Sequence, residues 1–260
     1  MKKAIIEEEE RYITTGITGF DDLFKNGIPK GSSILVAGGA GSGKTNFCLQ
    51  ILAHHASLGK KCYFMGFKES QQKLINYMRN FGWDIKKYID SGNLKIKRFL
   101  TSEIYYYDKK SGSDIQAMMT KDVDPLLMEL EPLTIVDDVG FKPDFIVLDS
   151  LTSLSSTFRG KEQYYRFYVE RLFRYFEETG STNFLITETK QIPEIYSPSG
   201  VEEFLADGVV VFYNLLKSKG RERAIEILKM RGEEHEKKIF AMDIKSKGIE
   251  VYPEKEVTIN

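Results

Sequence analysis

The chain has 260 residues, room for one large domain or two small ones with an ample core. Its 37 lysines and arginines against 38 aspartates and glutamates leave a formal net charge of −1, which excludes a global electrostatic pull toward nucleic acid or membrane but allows a local basic patch. Cys48 and Cys62 lack metal-ligand spacing and His54, His55 and His235 make no zinc set, so the cysteines read as buried thiols in a reducing compartment.

The N-terminus, MKKAIIEEEER, carries a charge run where a secretory signal has a continuous apolar core, and Glu7–Glu10 is most simply a solvated end. The longest apolar stretch, near Val209–Leu216, is far too short to span a bilayer, so a cytoplasmic protein without a membrane segment is expected. TGITGFDDLFKNGIPKGSS is punctuated by Gly16, Gly19, Gly27, Pro29 and Gly31 and predicts a turn-rich approach to the first core strand, Ile34–Ala37.

The next eight residues, GGAGSGKT from Gly38 to Thr45, fit the P-loop pattern G-x-x-x-x-G-K-[ST], with a strand before them and a helix-like NFCLQILAHHA after. A triphosphate is held by backbone N–H groups pointing inward from a tight loop, and Gly38, Gly39, Gly41 and Gly43 let the backbone come that close. Lys44 supplies a point charge to the outer phosphates, and Thr45 a hydroxyl for Mg²⁺ at the start of a helix whose dipole favours anions. Gly39, Gly41, Ser42, Gly43, Lys44, Thr45 and Asn46 form the expected ATP-binding set. The helix shows Phe47, Cys48, Ile51 and Leu52 on one side, a face suited to packing on a sheet.

KKCYFMGF predicts a second strand, Leu74, Ile75, Met78 and Phe81 a helix, and Leu94–Phe99 a third strand, an alternation that implies a mainly parallel sheet. From 101 to 144 the pattern weakens: YYYDKKSGSD reads as a mobile insertion and DPLLMELEPLTIV as holding one short helix. Tyr105, Tyr106 and Tyr107 beside Lys109 and Lys110 could stack on single-stranded DNA, although a surface loop packing its own aromatics is the simpler reading. FIVLDS predicts a buried strand, Tyr165, Val169, Leu172 and Phe176 a helix stripe ended at Gly180, and NFLIT another buried strand. After Gly200 consecutive β segments, GVVVFYN, AIEILKM, KIFAMDI and IEVYP, indicate antiparallel hairpins appended to the parallel core. One α/β domain over 1–260, with 1–13 as an extension, is the simplest reading.

A P-loop site needs a second acidic group to organise Mg²⁺, and Asp149, ending a buried strand, meets that description; a strand-end aspartate that caps the next turn is the bland alternative. Glu69, at the end of the strand after the P-loop helix, is placed to position or deprotonate water.

Five stretches, ITGFDDLFKNGIPKGSSILVAGGAGSGKT, KESQQKLINYMRNFGWDI, IVLDSLTS, GVEEFLADGVVV and RAIEILKMRGEEH, resemble the KaiC-like branch of the RecA/RadA superfamily, in its single-domain ATPase form. The resemblance covers about Thr14 to Pro253 and implies a RecA-like P-loop core. It implies ATP and Mg²⁺ held by Lys44, Thr45 and Asp149, and a homo-oligomer, by family a hexameric ring, with nucleotide at subunit interfaces. It further implies that Lys229, Arg231 and His235, in the K-x-R-G segment and just after it, reach the γ-phosphate bound by a neighbouring subunit, where a cation stabilises developing charge.

Two departures from the family pattern bear on activity. Many members carry paired glutamates after the second strand, the first taken as catalytic base, but here the pair is Lys68 and Glu69. Protonated lysine accepts no proton, so slow hydrolysis with Glu69 in the role is expected. Where the family's autokinase repeat has adjacent Ser and Thr, Glu203 and Phe204 offer no hydroxyl, so self-phosphorylation of that kind is not expected. The expected function is a slowly hydrolysing, nucleotide-dependent oligomeric switch acting on an unnamed protein partner. A recombinase paralogue binding single-stranded DNA and a non-hydrolysing scaffold are the alternatives.

Overall fold

Strands that are apolar throughout their interior need cover on both faces, and SILVAG, CYFMG and FIVLD are of this kind. In the computed structural model, which describes residues 11–99, 140–158, 160, 162–218 and 220–259, these strands form the middle of a nine-stranded sheet. Ahead of it, β1 (Tyr12–Ile13) and β2 (Ile28–Pro29) make a small antiparallel pair. The sheet strands are β3 (Ser33–Gly38), β4 (Cys62–Gly66), β5 (Leu94–Arg98), β6 (Phe145–Asp149), β7 (Thr182–Glu188), β8 (Gly208–Lys217), β9 (Gly220–Met230), β10 (Ile239–Lys245) and β11 (Gly248–Glu256). Their order is β11-β10-β9-β8-β3-β7-β6-β4-β5. Neighbours from β8 to β5 pair in parallel, and β8 to β11 pair antiparallel.

The predicted switch to hairpins after Gly200 therefore needs one refinement. The first of those segments, β8, lies parallel to β3 along one edge and antiparallel to β9 along the other. It is the last strand of the parallel core as well as the first arm of the hairpins.

Side chains alternate cleanly across the sheet. Ile34, Val36, Phe64, Val147, Phe184 and Phe212 enter one core, and Leu35, Tyr63, Met65, Ile146, Leu185 and Val211 enter the other. The first face is covered by α1 (Lys44–Ser57), α2 (Gln71–Asn80) and α3 (Ile85–Asp90), the second by α4 (Leu151–Ser156) and α5 (Glu162–Thr179). A short α6 (Glu202–Leu205) precedes β8. Fully buried Glu202 ties α6 to α5 by accepting a 2.6 Å hydrogen bond from Tyr165 Oη. No helix among the described residues is long and apolar enough to cross a membrane. The segments expected to hold a mobile insertion, a short helix and the Tyr105–Tyr107, Lys109, Lys110 cluster lie outside the described residues, as does Glu7–Glu10.

Helix α1 departs from the one-faced reading. It is buried at Phe47, Cys48, Leu49, Gln50, Ile51, Leu52 and Ala53, thus nearly all round. Phe47 packs edge-to-face on Phe184 of β7 and Phe212 of β8, at 6.3 and 5.1 Å between ring centroids, and on Phe20 at 5.0 Å. On the side away from the sheet, Ile17, Phe20 and Leu23 of the N-terminal segment cover the helix. That segment is held in shape by Asp21, whose carboxylate accepts from Thr15 N–H and Thr15 Oγ1, both at 2.7 Å, and from Gly16 N–H at 3.1 Å. At the middle of the helix the buried Gln50 exchanges hydrogen bonds with the Ile249 backbone, so β11 closes over α1 as well.

Two predictions follow from this packing. Phe47→Ala is expected to cost about 3–5 kcal/mol, measured by urea unfolding, whereas Leu58→Ala, at a position 62% exposed, stays within about 0.5 kcal/mol. His55, buried and stacked 3.7 Å from the Phe145 ring, has its pKa pushed down to about 4 by burial. The unfolded imidazole takes up a proton near pH 6.5 and the folded one does not, so this contribution is complete above that pH and is lost as pH falls toward 4. His55→Leu should remove about 2 kcal/mol of the stability difference between pH 7 and pH 5.

Candidate functional site

Strand β3 ends at Gly38, and the chain then wraps back on itself before entering α1. Gly43, at φ +108°, caps that helix in a conformation that side chains rarely adopt. Ser42 Oγ donates to Gly39 O at 2.8 Å, and Lys44 Nζ donates to Gly38 O and Gly39 O at 2.8 and 2.9 Å. Three side chains from other elements brace the loop from outside. Gln191 Nε2 and Asn214 Nδ2 donate to Ala40 O at 3.1 and 3.5 Å, and Arg223 Nε donates to Gly41 O at 3.3 Å. A Cβ at Gly39 would lie 2.6 Å from the Gln191 carboxamide and would displace that brace. Residues Gly41 to Asn46, with Arg223 and Ile244, line a cavity of about 340 Å³.

The parallel sheet delivers a row of charged side chains to the same end. Thr45 Oγ1 donates to Asp149 Oδ2 at 2.7 Å, which joins the first turn of α1 to the end of β6. A hydroxyl and a carboxylate this close are hard oxygen donors suited to Mg²⁺. Burial raises the Asp149 pKa, with Thr45 pulling it down and Glu69 pushing it up, so Glu69 acts on the same group. Burial lowers the Lys44 pKa, against the attraction of Glu188 and Asp149. Glu188, at the end of β7, is registered opposite Gly38 and ion-pairs with Lys68.

The predicted residues thus fall into two groups. Gly39, Gly41, Ser42, Gly43, Lys44, Thr45, Asn46, Asp149 and Glu69 gather at the C-terminal end of the parallel strands. Lys229, Arg231 and His235 do not join them. In the β8–β9 pairing Met230 lies opposite Gly208, which faces Ile34 near the start of β3, so this group stands at the other end of the sheet. Ile34 and Gly38 are four steps apart along β3, which puts roughly 13 Å between the two ends. There Lys229 Nζ donates to Glu203 O and Ala206 O at 3.0 and 2.6 Å, and Arg231 to Phe204 O and Leu205 O at 2.6 and 3.3 Å. His235 pairs by a backbone bridge with Phe24.

Sequence reasoning missed Glu188, Gln191, Asn214 and Arg223. Glu188 had a signal, because it ends a buried strand as Asp149 does. The other three touch the loop only through tertiary pairing and carry no local pattern.

Comparison with known proteins identifies the family. The family described as "ATPase: KaiC" matches residues 13–256. The circadian clock oscillator protein KaiC of Synechococcus elongatus is 30% identical over 240 residues, covering 92% of this chain and 44% of that protein. The circadian clock protein KaiC3 of Synechocystis is 35% identical over 242 residues, covering 93% and 45%. The chain therefore spans a little under half the length of these curated relatives. Among solved structures, a KaiC-like protein from the archaeon Pyrococcus horikoshii matches with a TM-score of 0.74 at 29% identity, over 94% of this chain and 99% of that one. With its phosphate loop, its strand-end aspartate and a sheet that is parallel at the core and antiparallel at the C-terminal edge, this chain belongs to the KaiC family of P-loop ATPases.

Proposed function

We propose that the chain is a slowly hydrolysing, ATP-binding switch whose sites are completed between subunits of a homo-oligomer. The observation that carries this reading is the separation of Lys229 and Arg231 from Lys44 by the length of β3. Cations so placed cannot serve the phosphate loop of their own chain, and they suit one presented by a neighbour. The family resemblance makes that neighbour a second copy, in a ring of six.

In the proposed mechanism the loop N–H groups and Lys44 hold the phosphates, and Thr45 and Asp149 would hold Mg²⁺, whose chemistry there would be to offset charge on the terminal phosphate. Glu69 accepts the proton of the attacking water. Lys229 and Arg231 stabilise the charge that develops on the neighbour's phosphate, and the family resemblance directs His235, bridged to Phe24, to the same phosphate. Fixing these cations on the α6 carbonyls spares the reaction the work of ordering them. Turnover is slow because Lys68 stands where the family carries its first glutamate.

Mixing experiments test the shared site. Arg231→Ala is expected to lower ATP turnover by about a hundredfold or more, and Lys44→Ala to abolish it. Subunits of the two variants, mixed, should regain activity, since one supplies the loop and the other the arginine. No recovery, or a strict monomer by light scattering with and without ATP, would exclude the shared site. Lys68→Glu is expected to raise kcat at saturating ATP by about tenfold or more, in a steady-state phosphate-release assay; an unchanged kcat means that Lys68 does not limit the rate.

A further inference from the structure

Glu188 puts a carboxylate where a phosphate loop has to hold anions. It lies opposite Gly38 in the β3–β7 register, and after burial it is the strongest influence on the Lys44 ammonium. Asp149, on the next strand, adds a second negative charge, and Glu69 a third close enough to act on Asp149. A terminal phosphate arriving at this end of the sheet meets three carboxylates and the Lys44 ammonium, and an uncompensated Glu188 opposes it.

Lys68 answers that charge. It leaves the chain two residues beyond β4, crosses the end of β6 where Asp149 stands, and ion-pairs with Glu188 at the end of β7. Both side chains are about half exposed, at 49% and 46%, so the pair contributes little to the stability of the fold. Its weight lies in the charge balance of the site. What ties Lys68 to the site is its ion pair with Glu188, which stands opposite Gly38 at the start of the phosphate loop.

We propose that Lys68 and Glu188 form a charge-compensating pair that sets the preference of this site for a nucleoside triphosphate over a diphosphate, an inference that rests on the nucleotide site assigned above. The inner phosphates are held by the loop N–H groups, and Lys44 reaches the β-phosphate whichever nucleotide is bound. Only the terminal phosphate adds charge beside Glu188, so only a triphosphate depends on Glu188 being neutralised.

Isothermal titration of ADP and of the slowly hydrolysed analogue AMP-PNP, each with Mg²⁺, into wild type, Lys68→Met, Glu188→Gln and the double variant tests the pair without reference to turnover. Lys68→Met is expected to weaken AMP-PNP binding by about tenfold and to leave ADP within about twofold of wild type. Glu188→Gln should not weaken AMP-PNP, and the double variant should return close to wild type, because removing the carboxylate removes the need for the lysine. A double variant as weak as Lys68→Met means that Lys68 acts on the phosphate directly and overturns the proposal. So does an equal loss of ADP and AMP-PNP in Lys68→Met. Wild type that binds neither nucleotide refutes the site assignment itself, a different failure.

Discussion

A phosphate loop works only if the helix it feeds is held at a fixed height on the sheet, and in this chain Phe47 supplies the hold. Its ring is wedged edge-on between Phe184 and Phe212, on the two strands that flank β3, and is closed from above by Phe20. Lys44 and Thr45 lie within one turn of that wedge. Their positions relative to β6 and β7 therefore follow from core packing, which is dense and yields little to small displacements. The 2.7 Å contact between Thr45 and Asp149 is the visible result.

The electrostatics follow from the same geometry. Parallel pairing brings the ends of β4, β6, β7 and β3 to one level, so whatever polar residue each strand ends on becomes a neighbour of the rest. Lys68, Glu69, Asp149, Glu188 and Lys44 are those residues. Burial works on them in opposite senses, raising the carboxyl pKa of Asp149 and lowering the ammonium pKa of Lys44, and their mutual attraction works against it. A site built this way responds to any change in its total charge.

Much of this was legible in the sequence, for reasons that separate cleanly. ILVA and FIVL are apolar at every position and GGAGSGKT has a fixed spacing, so the core strands, the loop and Asp149 could be placed from local pattern alone. Helix α1 was read as one-faced because the cover on its outer side comes from Ile17 and Phe20, residues that lie far from it in the chain. The direction of β8 was not legible because its residues look alike whether the neighbour runs parallel or antiparallel. Helices α3, α4 and α6 are too short to display a period. Gln191, Asn214 and Arg223 come from three separate segments and meet only at the loop.

The tethering of Lys229 and Arg231 to the backbone of α6 has an entropic consequence. A free lysine or arginine gives up about 2 kcal/mol of rotamer freedom when it is fixed. Here that loss is taken during folding, and four carbonyls, from Glu203 to Ala206, gain donors in return. A surface that later docks against this end of the sheet meets two cations already in position, so association is relieved of that ordering cost.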